Sequence, residues 1–150
     1  MTRGERAKQY FLSGYNCAQS VLLTFSDLTG LDAPSAMKIA SSFGGGMGRL
    51  REVCGAVSGM FMALGLLYGD EEVPAHENKA AHYQRVQELA AQFKEKNGTI
   101  ICRELLSDIQ TTSGSEPEQR TDQYYTKRPC SELCACAAEI LSQYIEGHPL

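Results

Sequence analysis

The longest uncharged stretch of the chain lies near its middle. No residue from 53 to 68 is charged, and the small residues Gly55, Gly59 and Ala63 recur every four positions, which places them on one face of a helix. A helix that is apolar on every face is buried. The run is short for a bilayer and has charged residues on both sides, so it predicts a central core helix at about residues 52–69 instead of a membrane span.

Helical periodicity on both sides of this stretch predicts further helices. They are expected at residues 3–13, 17–28, 33–42, 74–96, 100–106 and 129–146. The helix from Pro74 has a narrow apolar stripe, from Ala80 to Phe93, and is expected on the outside. The polar residues 107–128 predict a surface connection with at most one turn of helix. No strand pattern or repeat is visible, so we predict one all-α domain over residues 1–150, a compact multi-helix bundle around the central helix.

A glycine-rich loop precedes the central helix. Gly44, Gly45, Gly46 and Gly48 lie within five positions. Such a loop can bind phosphate, but this one follows a helix and lacks the trailing Lys-Ser/Thr of a nucleotide site. We expect Gly45, Gly46 and Gly48 to let the backbone pass close to neighbouring cysteines and to present amides to a sulfur ligand of a cofactor or to an oxyanion.

Composition narrows the function classes. A net charge of −4 without a basic run argues against nucleic-acid binding. The N-terminus has no apolar signal segment, so a cytoplasmic location is expected. In that reducing compartment, six cysteines in 150 residues are better explained by catalysis, metal binding or redox sensing than by structural disulfides. The alternative is that the cysteines pack as small hydrophobic residues.

Four cysteines fall in the first turns of four different predicted helices. They are Cys17, Cys54, Cys102 and Cys130. A helix N-terminus favours thiolate and can lower a cysteine pKa from about 8.5 toward neutrality. If neighbouring helices alternate in direction, the first three cysteines share one end of the bundle. The long connection before Cys130 can return the fourth to the same end, so we predict a cluster of thiols.

Several segments resemble a known family. Cys17 in GYNCAQ, Cys54 in FGGGMGRLREVCGAVSG, Cys102 in IICRELL and Cys130 at the last helix are similar to the proteins labelled C_GCAxxG_C_C, a family described as redox-active. The label spells Gly-Cys-Ala where this chain has Cys-Gly-Ala at 54–56, and we equate the two sites. The resemblance implies a redox or metal role for the four cysteines and a bacterial or archaeal source. Similar domains occur joined to haem proteins of anaerobes, which adds an iron–sulfur cluster to the hypotheses.

The leading hypothesis is a thiol-dependent redox protein, acting in thiol–disulfide or electron-transfer chemistry. Cys54 is the expected attacking residue because it combines a helix start, the glycine loop and the flanking Arg49 and Arg51, and Cys17 is the expected resolving partner. Its partner would be an unidentified redox protein or a small-molecule thiol.

Two alternatives remain open. In the first, the same four cysteines hold an iron–sulfur cluster or another soft metal ion, with Cys134 as an additional candidate ligand. Cys134 and Cys136 are otherwise expected as core residues. In the second, the chain is a helical interaction protein with incidental buried cysteines. The glycine-rich faces leave room for a homodimer. Surface positions are expected for His76, His82 and His148.

Overall fold

The computed structural model describes all 150 residues and is all-α, which confirms the predicted class. Its helices are α1 Arg3–Leu12, α2 Cys17–Thr24, α3 Ser26–Thr29, α4 Ala33–Ala40, α5 Gly55–Tyr68, α6 His76–Asn97, α7 Cys102–Leu105, α8 Asp122–Lys127 and α9 Cys130–Gly147. A 3-10 turn, Ser41–Phe43, and the glycine loop join α4 to α5. No helix combines the length and hydropathy required to cross a membrane.

Side-chain caps set the starts of the N-terminal helices. Thr2 caps α1 and Asn16 caps α2, each in a reciprocal capping box completed by Glu5 or Gln19. Such a cap is worth about 1 kcal/mol. The Asn16 cap makes Cys17 the first residue of α2 and so fixes the position of the Cys17 side chain at the start of that helix.

The central helix predicted from the uncharged stretch is α5. It packs against α2 and α9, and α1 packs on α9. Gly59 gives α5 its close approach to α2, because a Cβ at this position would lie 2.6 Å from the Ala18 carbonyl oxygen. The core residues of the helices belong to one continuous hydrophobic cluster.

The second predicted helix is interrupted. It was expected to run to residue 28, but α2 ends at Thr24 and the short α3 follows. Arg3 Nη1 donates to the Thr24 carbonyl oxygen at 2.7 Å, while Leu28 N donates to the Phe25 oxygen in place of the Thr24 oxygen. The contact with α1 therefore replaces a helical hydrogen bond.

Two other regions differ from the expected pattern. The outer helix α6 begins at His76, and its apolar stripe packs only in its C-terminal half: Leu89 and Phe93 are fully buried, whereas Tyr83 is 54% exposed. The connection at residues 107–128 contains α8, which is longer than the single turn expected and is capped by the Thr121 side chain.

Candidate functional site

The cysteines predicted at helix starts lie at helix starts. Cys17, Cys102 and Cys130 are the first residues of α2, α7 and α9, and Cys54 immediately precedes α5 as its N-cap residue. All four line one small cavity of about 60 Å³. Their side chains are buried, with Cys54 only 4% exposed. Four segments that are distant in the chain thus deliver thiols to a common cavity.

A short antiparallel pairing brings two of these cysteines together. Val53 and Ile101 form an isolated bridge. Beside it, Cys54 N donates to the Ile100 oxygen at 2.8 Å and Cys102 N donates to the Glu52 oxygen at 2.6 Å. Side chains two positions apart on this pairing lie on the same side, so Cys54 and Cys102 are diagonal neighbours. The sequence contains no strand pattern that indicates this pairing.

The glycine loop forms one wall of the cavity. Gly45 and Gly46 line the thiol cavity, and Gly48 lines a second cavity that lies outside it. Gly46 has a left-handed backbone, with φ of 68°, and a Cβ on it would lie 2.7 Å from Cys102 Cβ. The loop therefore brings backbone against a thiol side chain, as expected. That its amides receive a ligand stays a prediction.

The left-handed conformation continues beyond the glycines. Met47, Arg49 and Arg51 have φ values of 68°, 66° and 60°. This conformation costs roughly 1–2 kcal/mol for each residue that carries a Cβ. Such strain persists where the surrounding structure enforces it, and it concentrates at functional sites.

Cys17 lies between two other thiols. The thiols of Cys130 and Cys134 are near enough to shift the pKa of Cys17, and the Cys17 thiol shifts theirs in turn. The Cys134 sulfur also contacts the Cys17 carbonyl oxygen at 3.8 Å. Cys134 is fully buried behind the cavity and does not line it. Cys136 lies apart from this group, with its sulfur 3.5 Å from Asn97 Nδ2.

Burial controls the protonation of these thiols. Burial raises the pKa of Cys54 to about 12, against the opposing effect of the Ala56 and Val57 amides. The neighbouring Cys17 thiol, together with burial, raises the pKa of Cys130. For Cys17, the neighbouring Cys130 thiol lowers the pKa, but the Cys134 thiol and burial raise it more, so the pKa of Cys17 lies well above its ordinary value. The expectation that the helix starts lower these pKa values is wrong for the reduced protein, because burial and the neighbouring thiols raise them.

Arginine side chains add positive charge to the cavity wall. Arg51 Nη1 lies 3.8 Å from the Cys102 sulfur, and Arg51 Nε is buried without a hydrogen-bond partner. Burial raises the pKa of Cys102, and Arg51 partly offsets that effect. Arg49 has a different role from the one expected beside Cys54: its guanidinium binds the carbonyl oxygens of Thr112 and Gly114.

The connection before α9 supplies three residues that the sequence analysis missed. Arg120, Tyr124 and Arg128 line the thiol cavity. Arg120 Nη1 donates to the Phe11 oxygen at 2.7 Å, and the Arg128 guanidinium lies over the Tyr124 ring at 4.8 Å. Burial raises the pKa of Tyr124 to about 12. Their spacing of four residues, which favours one helical face, is the signal that could have identified them.

The thiols suit a soft metal in ligand type but not in arrangement. Cysteine thiolates are the ligands of iron–sulfur clusters and other soft metals. No group of three or more His, Cys, Asp or Glu side chains in the chain is arranged to hold a metal ion. The histidines do not line the thiol cavity: His76 and His148 are exposed and His82 is half-buried.

Comparison with known proteins identifies a family for this chain. No curated protein and no solved structure matches the chain. The family model described as "Putative redox-active protein (C_GCAxxG_C_C)" matches residues 15–144, a range that includes all the cysteines at the cavity. Since this match spans most of the sequence, the chain belongs to the C_GCAxxG_C_C family.

Proposed function

We propose that the protein is a thiol–disulfide oxidoreductase in which Cys17 and Cys130 alternate between two thiols and one disulfide. The observation that carries this proposal is that both side chains line one cavity of about 60 Å³, which Cys54 and Cys102 also line. Each of the two thiols also shifts the pKa of the other. Each of the two residues begins a helix, so a bond between them joins helix ends and leaves the helix interiors unchanged.

The reaction with a small disulfide proceeds in two exchanges. The Cys17 sulfur attacks the substrate disulfide, forming a mixed disulfide, and the first substrate thiol leaves with the Cys17 proton. The Cys130 sulfur then attacks the Cys17 sulfur, and the second substrate thiol leaves with the Cys130 proton. Two protein thiols are oxidised to one disulfide, and one substrate disulfide is reduced to two thiols.

Cys17 is the better candidate for the first attack. Cys17 is 9% exposed and Cys54 is 4% exposed, so a substrate disulfide reaches Cys17 more readily. The pKa values of both thiols are raised, and accessibility therefore decides between them. Cys54, the attacking residue favoured by the sequence, has a pKa raised to about 12 by burial. We keep Cys54 and Cys102 as site residues because they line the same cavity and adjoin each other through the pairing of their backbones.

The test traps the intermediate of this exchange. Reduced protein is treated with hydroxyethyl disulfide, denatured, alkylated and weighed by mass spectrometry. Wild type is expected to lose two of its six thiols to an internal disulfide and to retain no adduct. Cys130→Ser is expected to retain a hydroxyethyl adduct on Cys17, because the thiol assigned to displace it is absent.

Cys136→Ser is the matched control, since Cys136 lies outside the cavity, and it should form the same internal disulfide as wild type. An internal disulfide that persists in Cys130→Ser, or the absence of one in wild type, would overturn the proposal.

The second candidate function is the binding of an iron–sulfur cluster or soft metal. The four thiols around one cavity favour it, and the absence of a metal-holding arrangement among them places it second. Purification without oxygen, followed by analysis for iron and acid-labile sulfide, separates the two. Stoichiometric iron and sulfide that are lost on Cys54→Ser would put metal binding first.

A further inference from the structure

A second cavity, of about 290 Å³, lies against the outside of the thiol cavity. The two cavities share part of their walls: Asn16, Gly45, Arg51, Arg120, Tyr124 and Arg128. The outer cavity is also bounded by the glycine loop and by the connection before α9, through Gly48 and Pro117. A molecule in the outer cavity is therefore adjacent to the thiols.

The charge of the outer cavity is opposite to that of the chain. Arg49, Arg51, Arg120 and Arg128 line it together with a single carboxylate, Glu118, although the chain carries a net charge of −4. Glu118 forms an ion pair with Arg128 and lies 3.9 Å from Arg49. One carboxylate among four guanidiniums leaves an excess of positive charge on this wall.

Two of these arginines line the cavities and form no ion pair with a carboxylate. Arg51 contacts the Cys102 sulfur and has a buried, unpartnered Nε. Arg120 uses Nη1 on the Phe11 carbonyl oxygen, which is uncharged. Guanidiniums bind carboxylates through paired, charge-assisted hydrogen bonds, and enclosed charge of one sign concentrates ligands of the other.

We propose that the outer cavity binds the carboxylate of the redox substrate, so that the substrate class is a low-molecular-weight disulfide that carries carboxylate groups. This inference rests on the proposed thiol–disulfide function. The thiol cavity, at about 60 Å³, is too small for an organic molecule but admits a reacting sulfur. The substrate thus keeps its anionic end on Arg51 and Arg120 while its disulfide reaches Cys17.

The carboxylate-bearing disulfide reacts by the same two thiol–disulfide exchanges. Cleavage of the substrate disulfide and formation of the Cys17–Cys130 disulfide release two carboxylate-bearing thiols, which take up the two thiol protons. The guanidiniums keep their protons throughout, so they position the substrate and do not exchange protons with it.

The kinetic test compares two small disulfides of opposite charge. Reduced protein is mixed with dithiodipropionate, which has two carboxylates, or with cystamine, which has two ammonium groups, and thiol loss is followed. Wild type is expected to react at least about tenfold faster with the dicarboxylate, after correction for the reactivity of each disulfide with a free thiol. Arg51→Gln and Arg120→Gln should each bring that ratio toward one.

Arg6→Gln is the charge-matched control, because Arg6 is exposed on α1 and does not line either cavity. It should keep the wild-type ratio. Circular dichroism checks the folding of each variant. If either Arg51→Gln or Arg120→Gln fails to fold, the other variant alone tests the inference.

A binding measurement separates this inference from the redox function. Glutarate, a dicarboxylate without sulfur, is titrated into reduced wild type by calorimetry, and Arg51→Gln is expected to weaken its binding about tenfold. Oxidation by both disulfides at equal corrected rates, with no glutarate binding, would overturn the anion site and leave the redox function standing. Glutarate binding without oxidation by either disulfide would overturn the redox function, and with it the disulfide substrate, and would leave only the anion-binding site standing.

Discussion

At the scale of single residues, burial is the largest influence on the pKa values of Cys54, Cys102 and Cys134. Cys54 is only 4% exposed, and burial raises its pKa to about 12 although it adjoins the start of α5. The positions of the cysteines at helix starts could be predicted, because capping depends on neighbours such as Asn16. Their burial could not, since it depends on which segments cover them.

This burial predicts an alkaline loss of stability. The folded pKa of Cys54 lies above its ordinary value of 9.0, so its contribution is complete below about pH 9 and falls as the pH rises toward 12. The unfolded chain loses its thiol proton first, which lowers the free energy of unfolding by up to about 1.4 kcal/mol per pH unit.

Urea unfolding under reducing conditions, at several pH values from about 7 to about 10, measures this loss. Cys54→Ala removes one of the titrating thiols, so the free energy of unfolding should fall less steeply above about pH 9 than in wild type. Equal slopes in the two proteins would contradict the assignment.

The glycine loop gives a second prediction at this scale. Gly46→Ala places a Cβ 2.7 Å from Cys102 Cβ on a backbone with φ of 68°, and should cost about 2–4 kcal/mol through strain and overpacking. Gly48→Ala is the control: its φ is 60°, but the nearest atom is 3.8 Å away, so it should cost only about 1–2 kcal/mol. Equal losses in urea unfolding would show that contact with Cys102 is unimportant.

At the scale of elements, the site depends on how α5 meets α2. Gly55 and Gly59 remove the side chains that would separate them: a Cβ on Gly55 would lie 2.9 Å from Cys17 Cβ. The regular spacing of small residues made this face predictable from the sequence. The pairing of Val53 with Ile101 was not predictable, because a bridge of this length carries no periodic signal.

Two alanine substitutions on α5 test this contact. Gly59→Ala puts a Cβ 2.6 Å from the Ala18 oxygen and should destabilise the protein by about 1–3 kcal/mol. Gly65→Ala, on the same helix, meets no atom within 4 Å and should stabilise it by about 0.5–1 kcal/mol through helix propensity. Thermal unfolding of both variants checks the sign. Stabilisation by Gly59→Ala would contradict the close packing of α5 on α2.

At the scale of the whole molecule, the two ends of the chain meet at the thiols. Cys17 belongs to the second helix and Cys130 to the last, and the connection between α7 and α9 spans the intervening distance while supplying Arg120 and Tyr124 to the cavity. The length of that connection made the return of Cys130 predictable. Its role as a wall of the site was not, because its polar composition is typical of a surface loop. The homodimer stays a prediction.

The most direct measurement of the central claim is the identification of the disulfide in oxidised wild-type protein. After oxidation by hydroxyethyl disulfide and alkylation of the remaining thiols, proteolysis without reduction and tandem mass spectrometry identify the linked peptides. We expect fragment ions that assign the bond to Cys17 and Cys130, which line the same cavity. Oxidised protein in which both residues are alkylated, or in which Cys17 is bonded to any other cysteine, would contradict it.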